Sequence, residues 1–104
     1  MSPQELDHKL RSATPPHLLD VRQPEEHALV ALPNSTLIPL GELLPRADEI
    51  ENWKGVEVVV YCHHGIRSAQ AVAQLRALGF TNVHNLSGGI DRWSSEIDPA
   101  LPRY

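Results

Sequence analysis

The sequence contains a single cysteine, few aromatic residues and no long apolar run. Its 104 residues include Cys62 together with two Trp, two Tyr and one Phe. A lone cysteine excludes an internal disulfide framework and a metal site built from several thiolates. No purely apolar run is longer than that at residues 58–62, which is far below the roughly 20 residues of a membrane-spanning helix. We therefore expect no membrane association.

The balance of charge argues against nucleic acid as a partner. Nine Lys and Arg residues stand against 13 Asp and Glu residues, which gives a formal net charge of −4. Binding to nucleic acid depends on clustered cations that neutralise phosphates, and single strands also require aromatic stacking platforms. Residues 1–5 include no apolar block of the kind found in secretory signals. With one free thiol, these features predict a cytoplasmic protein.

Length and composition predict one globular domain that covers residues 1–104. The chain is 41% hydrophobic and 21% charged, which is ordinary for a globular protein, and its length allows a single core. Apolar patterns predict strands at 17–21, 36–38, 56–61 and 80–86. Helices are predicted at 3–12, 46–53 and 68–78, with a helical turn after Pro24 and a short helix after Gly88. This alternation indicates the α/β class, with a small, mostly parallel central sheet flanked by helices.

The residues that follow the central strand are a candidate nucleophilic site. Cys62 stands at the carboxyl end of that strand, where ligands bind in open α/β sheets. Backbone N–H groups of the loop after it can form an anion-binding nest, and the helix that follows adds partial positive charge at its N-terminus. Gly65 permits a tight turn and Arg67 adds a permanent cation. These features all favour a thiolate at Cys62.

Three segments carry a resemblance to the single-domain rhodaneses. The loop Cys62-His63-His64-Gly65-Ile66-Arg67-Ser68 resembles the family's Cys-x-x-Gly-x-Arg-Ser active-site loop. Residues 19–26 resemble its Asp-Val-Arg-x-x-x-Glu segment, and residues 85–93 resemble its Leu-x-Gly-Gly-x-x-x-Trp segment. The resemblance implies a rhodanese-like fold with residues 63–68 as the substrate-binding loop. It also implies supporting roles for Asp20 and Arg22.

The activity that this resemblance implies is sulfur transfer. The Cys62 thiolate would attack the sulfane sulfur of a donor such as thiosulfate or a protein persulfide. The terminal sulfur of the resulting Cys62 persulfide would then pass to cyanide, a thiol or a carrier protein. No metal and no organic cofactor is implied. The alternatives are a non-catalytic binding or regulatory module and a protein-to-protein relay with little activity towards thiosulfate.

The sequence allows more than one role for three residues of the loop. Arg67 either holds an anionic donor or braces the loop through its carbonyl groups or Asp20, and the two roles are compatible. His63 and His64 are not expected to bind a metal, because adjacent loop residues rarely ligate one ion. They either assist the binding of anionic donors or act as general acids. The loop is one residue shorter than that of cysteine-dependent phosphatases, which disfavours a phosphatase or an arsenate reductase.

One segment departs from the family pattern. Residues 28–35 lack the two glycines and the histidine of the usual Gly-His-Ile-x-Gly-Ala stretch. We expect different local packing there, with no effect on the active-site loop. Asp20 and Arg22 are expected to form ion pairs that brace that loop.

Overall fold

The computed structural model describes all residues from 1 to 104 and contains a four-stranded parallel sheet. The strand order is β2-β1-β3-β4, and every pairing is parallel. The strands are β1 (His17–Asp20), β2 (Thr36–Leu37), β3 (Val58–Tyr61) and β4 (Val83–Asn85). The helices are α1 (Pro3–Leu10), α2 (Pro24–Leu29), α3 (Leu43–Arg46), α4 (Ile66–Ala77) and α5 (Gly89–Glu96). The α/β class and the flanked parallel sheet predicted above are therefore confirmed.

The sheet is buried on both faces, and β3 shows why. Alternate residues of a strand point to opposite faces. Val58 and Val60 belong to the apolar cluster that includes residues of α4, whereas Val59 and Tyr61 belong to the cluster that includes residues of α1 and α5. All four residues of β3 are buried. Such burial explains the nearly continuous β-branched run in the sequence.

Some element boundaries differ from the predictions. Helix α4 begins at Ile66 rather than at residue 68, because Gly65 adopts a φ of 107° and starts the helix directly after the loop. Strand β3 begins at Val58, and Val56 lies in an exposed turn before it. The predicted helix at 46–53 is instead the short α3 followed by 3₁₀ turns at Ala47–Trp53, interrupted at Ile50. No helix has both the length and the apolar character to cross a membrane.

The atypical segment 28–35 is held by two buried polar side chains. The N–H of Leu32 donates to the Tyr61 hydroxyl at 3.1 Å, and the Ser35 hydroxyl lies 2.8 Å from the same oxygen. Arg22 donates to the carbonyl of Val30 at 2.6 Å. Burial raises the pKa of Tyr61 to about 12, so its hydroxyl stays protonated. These bonds fix the segment without the glycines that the family pattern would supply.

Candidate active site

Cys62 follows β3 directly, and its sulfur lies inside a ring of hydrogen-bond donors. The residue is 1% exposed. Its Sγ accepts from the backbone N–H of Gly65 at 3.0 Å and from that of Ser68 at 3.4 Å. The Ser68 hydroxyl lies 3.3 Å from the same sulfur. Residues 62–68 thus form the nest that the loop sequence predicts, with the first turn of α4 as one wall.

These contacts lower the pKa of the thiol. Burial alone would raise the pKa of Cys62, because a thiolate loses its hydration. The hydroxyl of Ser68 opposes burial, as do the backbone N–H groups of Ser68, Gly65 and His64, and the net pKa lies below the ordinary value. The sulfur is therefore more ionised than a free cysteine near neutral pH, and the thiolate is the nucleophilic form.

Asn85 braces the loop from β4, the neighbouring strand. Its side-chain Nδ2 donates to the carbonyl of Gly65 at 3.1 Å, and its Oδ1 accepts from the Ser68 hydroxyl at 2.6 Å. A hydroxyl has one proton, so Ser68 donates either to Asn85 or to the sulfur. Either atom can be the donor between Cys62 and Ser68, so the Ser68 proton that Asn85 accepts can turn to the sulfur when the thiol ionises.

The N-terminus of α5 holds the loop through two backbone hydrogen bonds. Ile90 donates its N–H to the carbonyl of Cys62 at 2.9 Å, and Asp91 donates to that of His63 at 3.1 Å. This close approach requires Gly89, which has a φ of 64° and whose position leaves no room for a Cβ beside the carbonyl groups of Cys62 and His63. The Gly88-Gly89 pair thus sets the backbone geometry through which the last helix contacts the active-site loop.

Arg67 pairs with Glu26 of α2, and not with Asp20. Its two Nη atoms donate to the two carboxylate oxygens at 2.6 and 2.9 Å. The bidentate pair lowers the pKa of Glu26 to about 2, against the opposing effect of burial. It also raises the pKa of Arg67, with a smaller contribution from the nearby Cys62. The cation of the loop is therefore already matched by an anion.

Asp20 and Arg22 form a fully buried ion pair with each other. The Arg22 guanidinium donates to both oxygens of Asp20, at 2.9 and 2.8 Å, and both side chains are fully buried. His27 Nδ1 lies 2.8 Å from the same carboxylate. The pair makes no hydrogen bond to residues 62–68. Its connection to the loop is indirect and runs from Arg22 through the Tyr104 hydroxyl and Glu26 to Arg67.

His63 and His64 form a stack with Tyr104. The ring centroids of His63 and Tyr104 lie 3.9 Å apart and nearly parallel, and those of His63 and His64 also lie 3.9 Å apart. Burial and the neighbouring His64 lower the pKa of His63, which favours the neutral ring. The side chain of His64 is 61% exposed and lies 3.8 Å from Asp91. Ile66 points outward from the loop and is 73% exposed.

Three residues of this site were not assigned roles by the sequence analysis. Glu26 and Asn85 lie inside segments that resemble the rhodaneses, so the motifs mark the right region without naming the residue. Tyr104 lies in a Pro-rich segment whose residues point to no role by themselves. No cavity coincides with the loop, and the larger of two, about 510 Å³, is lined by residues such as His17 and Leu18 at the opposite end of β1.

The family model of the rhodanese-like domain matches residues 2–96. The chain belongs to this family. The rhodanese-like domain protein from Staphylococcus aureus has 32% sequence identity and a TM-score of 0.81, with 100% of this chain and 96% of that one covered. The human single-domain sulfurtransferase TSTD1 has 30% identity and a TM-score of 0.82, with 92% and 95% covered.

Longer proteins also contain a similar domain. The adenylyltransferase and sulfurtransferase uba4 of Ogataea parapolymorpha is 38% identical over 96 residues, which are 92% of this chain and 24% of that protein. The adenylyltransferase and sulfurtransferase MOCS3 of Arabidopsis thaliana is 33% identical over 101 residues, or 84% of this chain and 22% of that protein. The rhodanese-like chain thus spans about a quarter of the length of these relatives.

Proposed function

We propose that residues 1–104 form one rhodanese domain that acts as a sulfurtransferase and carries the transferred sulfur as a Cys62 persulfide. The observation that carries this proposal is the environment of the sulfur. Two backbone N–H groups and one hydroxyl converge on Sγ within 3.4 Å. Such a nest favours the attacking thiolate and can equally stabilise the anionic outer sulfur of a persulfide. Similarity to proteins named as sulfurtransferases supports the same reaction.

The reaction balances without an electron donor or acceptor. The Cys62 thiolate attacks the sulfane sulfur of thiosulfate, a new S–S bond forms, and sulfite leaves with the electrons of the broken S–S bond. The product is the Cys62 persulfide anion. An acceptor such as cyanide then attacks the outer sulfur, thiocyanate leaves, and the thiolate is restored. A thiol or a carrier protein would accept the sulfur in the same way. A reduced Cys62 is required, which fits a cytoplasmic location.

The direct test is the mass of the intact protein after brief anaerobic incubation with thiosulfate. We expect a gain of one sulfur atom on the wild type and no gain on Cys62→Ser, which has no other thiol to load. Cyanide or dithiothreitol should remove the added mass. Removal is essential because a sulfinate has nearly the same mass but resists dithiothreitol.

A protein-to-protein relay is the second candidate, and the exposure of Ile66 favours it. This side chain is 73% exposed within the active-site loop, where a docked protein would cover it. Under this alternative, thiosulfate adds no sulfur and a persulfidated protein donor does. If neither donor adds sulfur to Cys62, the proposal of sulfur transfer is wrong, and a non-catalytic binding module explains the fold.

A further inference from the structure

The hydroxyl of Tyr104 joins two charged groups beside the active-site loop. It donates to Glu26 Oε2 at 2.7 Å and accepts from Arg22 Nη1 at 2.8 Å. Its ring stacks on His63, the residue next to Cys62. Arg103 pairs with both carboxylate oxygens of Asp91 at 2.9 and 3.0 Å, which fixes the same segment to α5. Tyr104 is therefore held from its ring, from its hydroxyl and from the preceding residue.

The carboxylate of Glu26 receives four hydrogen bonds, and Tyr104 supplies one of them. Oε1 accepts from Arg67 and from the backbone N–H of Gln23, at 2.6 and 3.0 Å. Oε2 accepts from Arg67 and from Tyr104, at 2.9 and 2.7 Å. Gln23 holds one oxygen and Tyr104 holds the other. This arrangement keeps the carboxylate in the orientation that allows the bidentate pair with Arg67.

The orientation of Glu26 determines how much positive charge a ligand meets at the loop. Both Nη groups of Arg67 are engaged, and the charges of Arg67 and Glu26 cancel at short range. The Arg67 side chain is 34% exposed and that of Glu26 is 20% exposed, so an incoming anion can reach the pair. Such an anion must compete with the Glu26 carboxylate for the guanidinium of Arg67.

We propose that Tyr104 is a positioning residue that holds Glu26 against Arg67 and thereby reduces the preference of the Cys62 site for anionic sulfur donors. The effect on donors rests on the sulfur-transfer function proposed above. The effect on local charge does not, because the reactivity of Cys62 reports that charge directly. The two claims are therefore tested by different measurements.

The first measurement compares alkylation of Cys62 by iodoacetate, an anion, with alkylation by iodoacetamide, a neutral reagent of similar size. Tyr104→Phe retains the stacked ring and removes the hydroxyl. We expect the rate ratio of iodoacetate to iodoacetamide to rise about three- to tenfold, the range that corresponds to the loss of one hydrogen bond. Glu26→Gln should raise the ratio at least as much, because it removes the competing negative charge.

Arg46→Gln is the matched control. Arg46 pairs only with Glu42 and Glu49, on an exposed surface, and makes no hydrogen bond to residues 62–68. Its loss should leave the ratio unchanged. A merely structural role for Tyr104 would change thermal stability without changing this ratio. An unchanged or reduced ratio in Tyr104→Phe, with Glu26→Gln raising it, would overturn the proposal.

Steady-state kinetics with thiosulfate tests the consequence for sulfur transfer. We expect Tyr104→Phe to lower KM for thiosulfate about three- to tenfold with little change in kcat. An unchanged KM in an active variant would disprove the effect on donors. If the wild type takes up no sulfur from any donor, the proposed function fails, whereas the alkylation ratio still decides whether Tyr104 controls the charge at the loop.

Discussion

At Cys62, the balance between burial and hydrogen bonding decides the reactivity of one atom. The sulfur is buried, which by itself favours the neutral thiol. Ser68 contributes two of the donors that reverse this preference, its backbone N–H and its hydroxyl. The hydroxyl is the only one of the donors to Sγ that a side-chain substitution can remove. Its contribution can therefore be measured separately from that of the backbone.

We expect Ser68→Ala to raise the pKa of Cys62, because the hydroxyl is lost while burial continues to favour the neutral thiol. The remaining N–H donors of Gly65 and Ser68 keep part of the stabilisation. The pH profile of alkylation by iodoacetamide measures the pKa, and its inflection should move to higher pH in the variant. At pH 7 the thiolate fraction falls accordingly.

Ser95→Ala provides the control, because Ser95 is exposed on α5 and donates only to the carbonyl of Arg92. An inflection that stays at the wild-type pH in Ser68→Ala would assign the low pKa of the thiol to the backbone alone.

The partner of Arg67 illustrates what residue patterns cannot specify. The loop motif predicts the cation and its place beside Cys62, and the structure has it there. The sequence allowed Asp20 as its carboxylate partner, but the Asp20 carboxylate is occupied by Arg22 and His27. The partner is instead Glu26, which lies on α2, 41 residues from Arg67 along the chain. Asp20, Glu25 and Glu26 all lie at or shortly after the end of β1, and only packing determines which carboxylate reaches the loop.

Among the elements, α5 supports the site without supplying any contact to the sulfur. Its first two N–H groups after Gly89 hold the carbonyl groups of Cys62 and His63. The sequence predicts the helix well, because Gly88-Gly89 precedes an apolar stripe with Ile90 and Trp93. The contact with the loop is a long-range feature, and no local pattern encodes it. The short helix α3 was not predicted as such, because Pro45 and the weak apolar pattern give no clear helical period.

Gly89→Ala tests this contact. An alanine there must adopt a φ of 64° and place its Cβ against the carbonyl groups of Cys62 and His63. We expect a loss of about 2–4 kcal/mol in the free energy of unfolding, from left-handed strain and from displacement of α5. Denaturant titration measures this loss.

Gly55→Ala is the matched control, because a Cβ at Gly55 has no atom within 4 Å. It should change stability by less than about 1 kcal/mol. Equal free energies of unfolding for the two variants would mean that the contact between α5 and the loop does not contribute to stability.

For the whole molecule, the buried pair of Asp20 and Arg22 connects parts of the chain that are far apart in sequence. It links the end of β1 to the carbonyl of Val30 and to Tyr104. Their place at the end of a predicted strand and the resemblance indicated that both residues matter. The sequence did not reveal that they pair with each other in full burial, because charged side chains are rarely buried.

Removing one partner of this pair should destabilise the entire domain. We expect Asp20→Asn to cost about 3–5 kcal/mol, because Arg22 would keep its charge without an ionised partner. This is a large share of the roughly 5–15 kcal/mol typical of a domain. Denaturant unfolding monitored by circular dichroism measures the loss. Asp48→Asn, at an exposed residue with no ion pair, should have little effect.

The double variant Asp20→Asn, Arg22→Met separates the effect of charge from that of packing. If the uncompensated guanidinium causes the loss, removing it should recover part of the stability. A cost below about 1 kcal/mol for Asp20→Asn alone would contradict this interpretation of the pair.

The nest around Cys62 depends on the folding of distant parts of the chain. Its donors come from residues 65 and 68, its brace from Asn85 and its support from α5. The brace and the support hold the donors in this arrangement only after β3 and β4 have paired and α5 has docked. In an unfolded or newly synthesised chain, Cys62 is an ordinary thiol. Under the proposed function, efficient loading with sulfur would therefore follow folding, and a Cys62 thiol of lowered pKa would mark a folded domain.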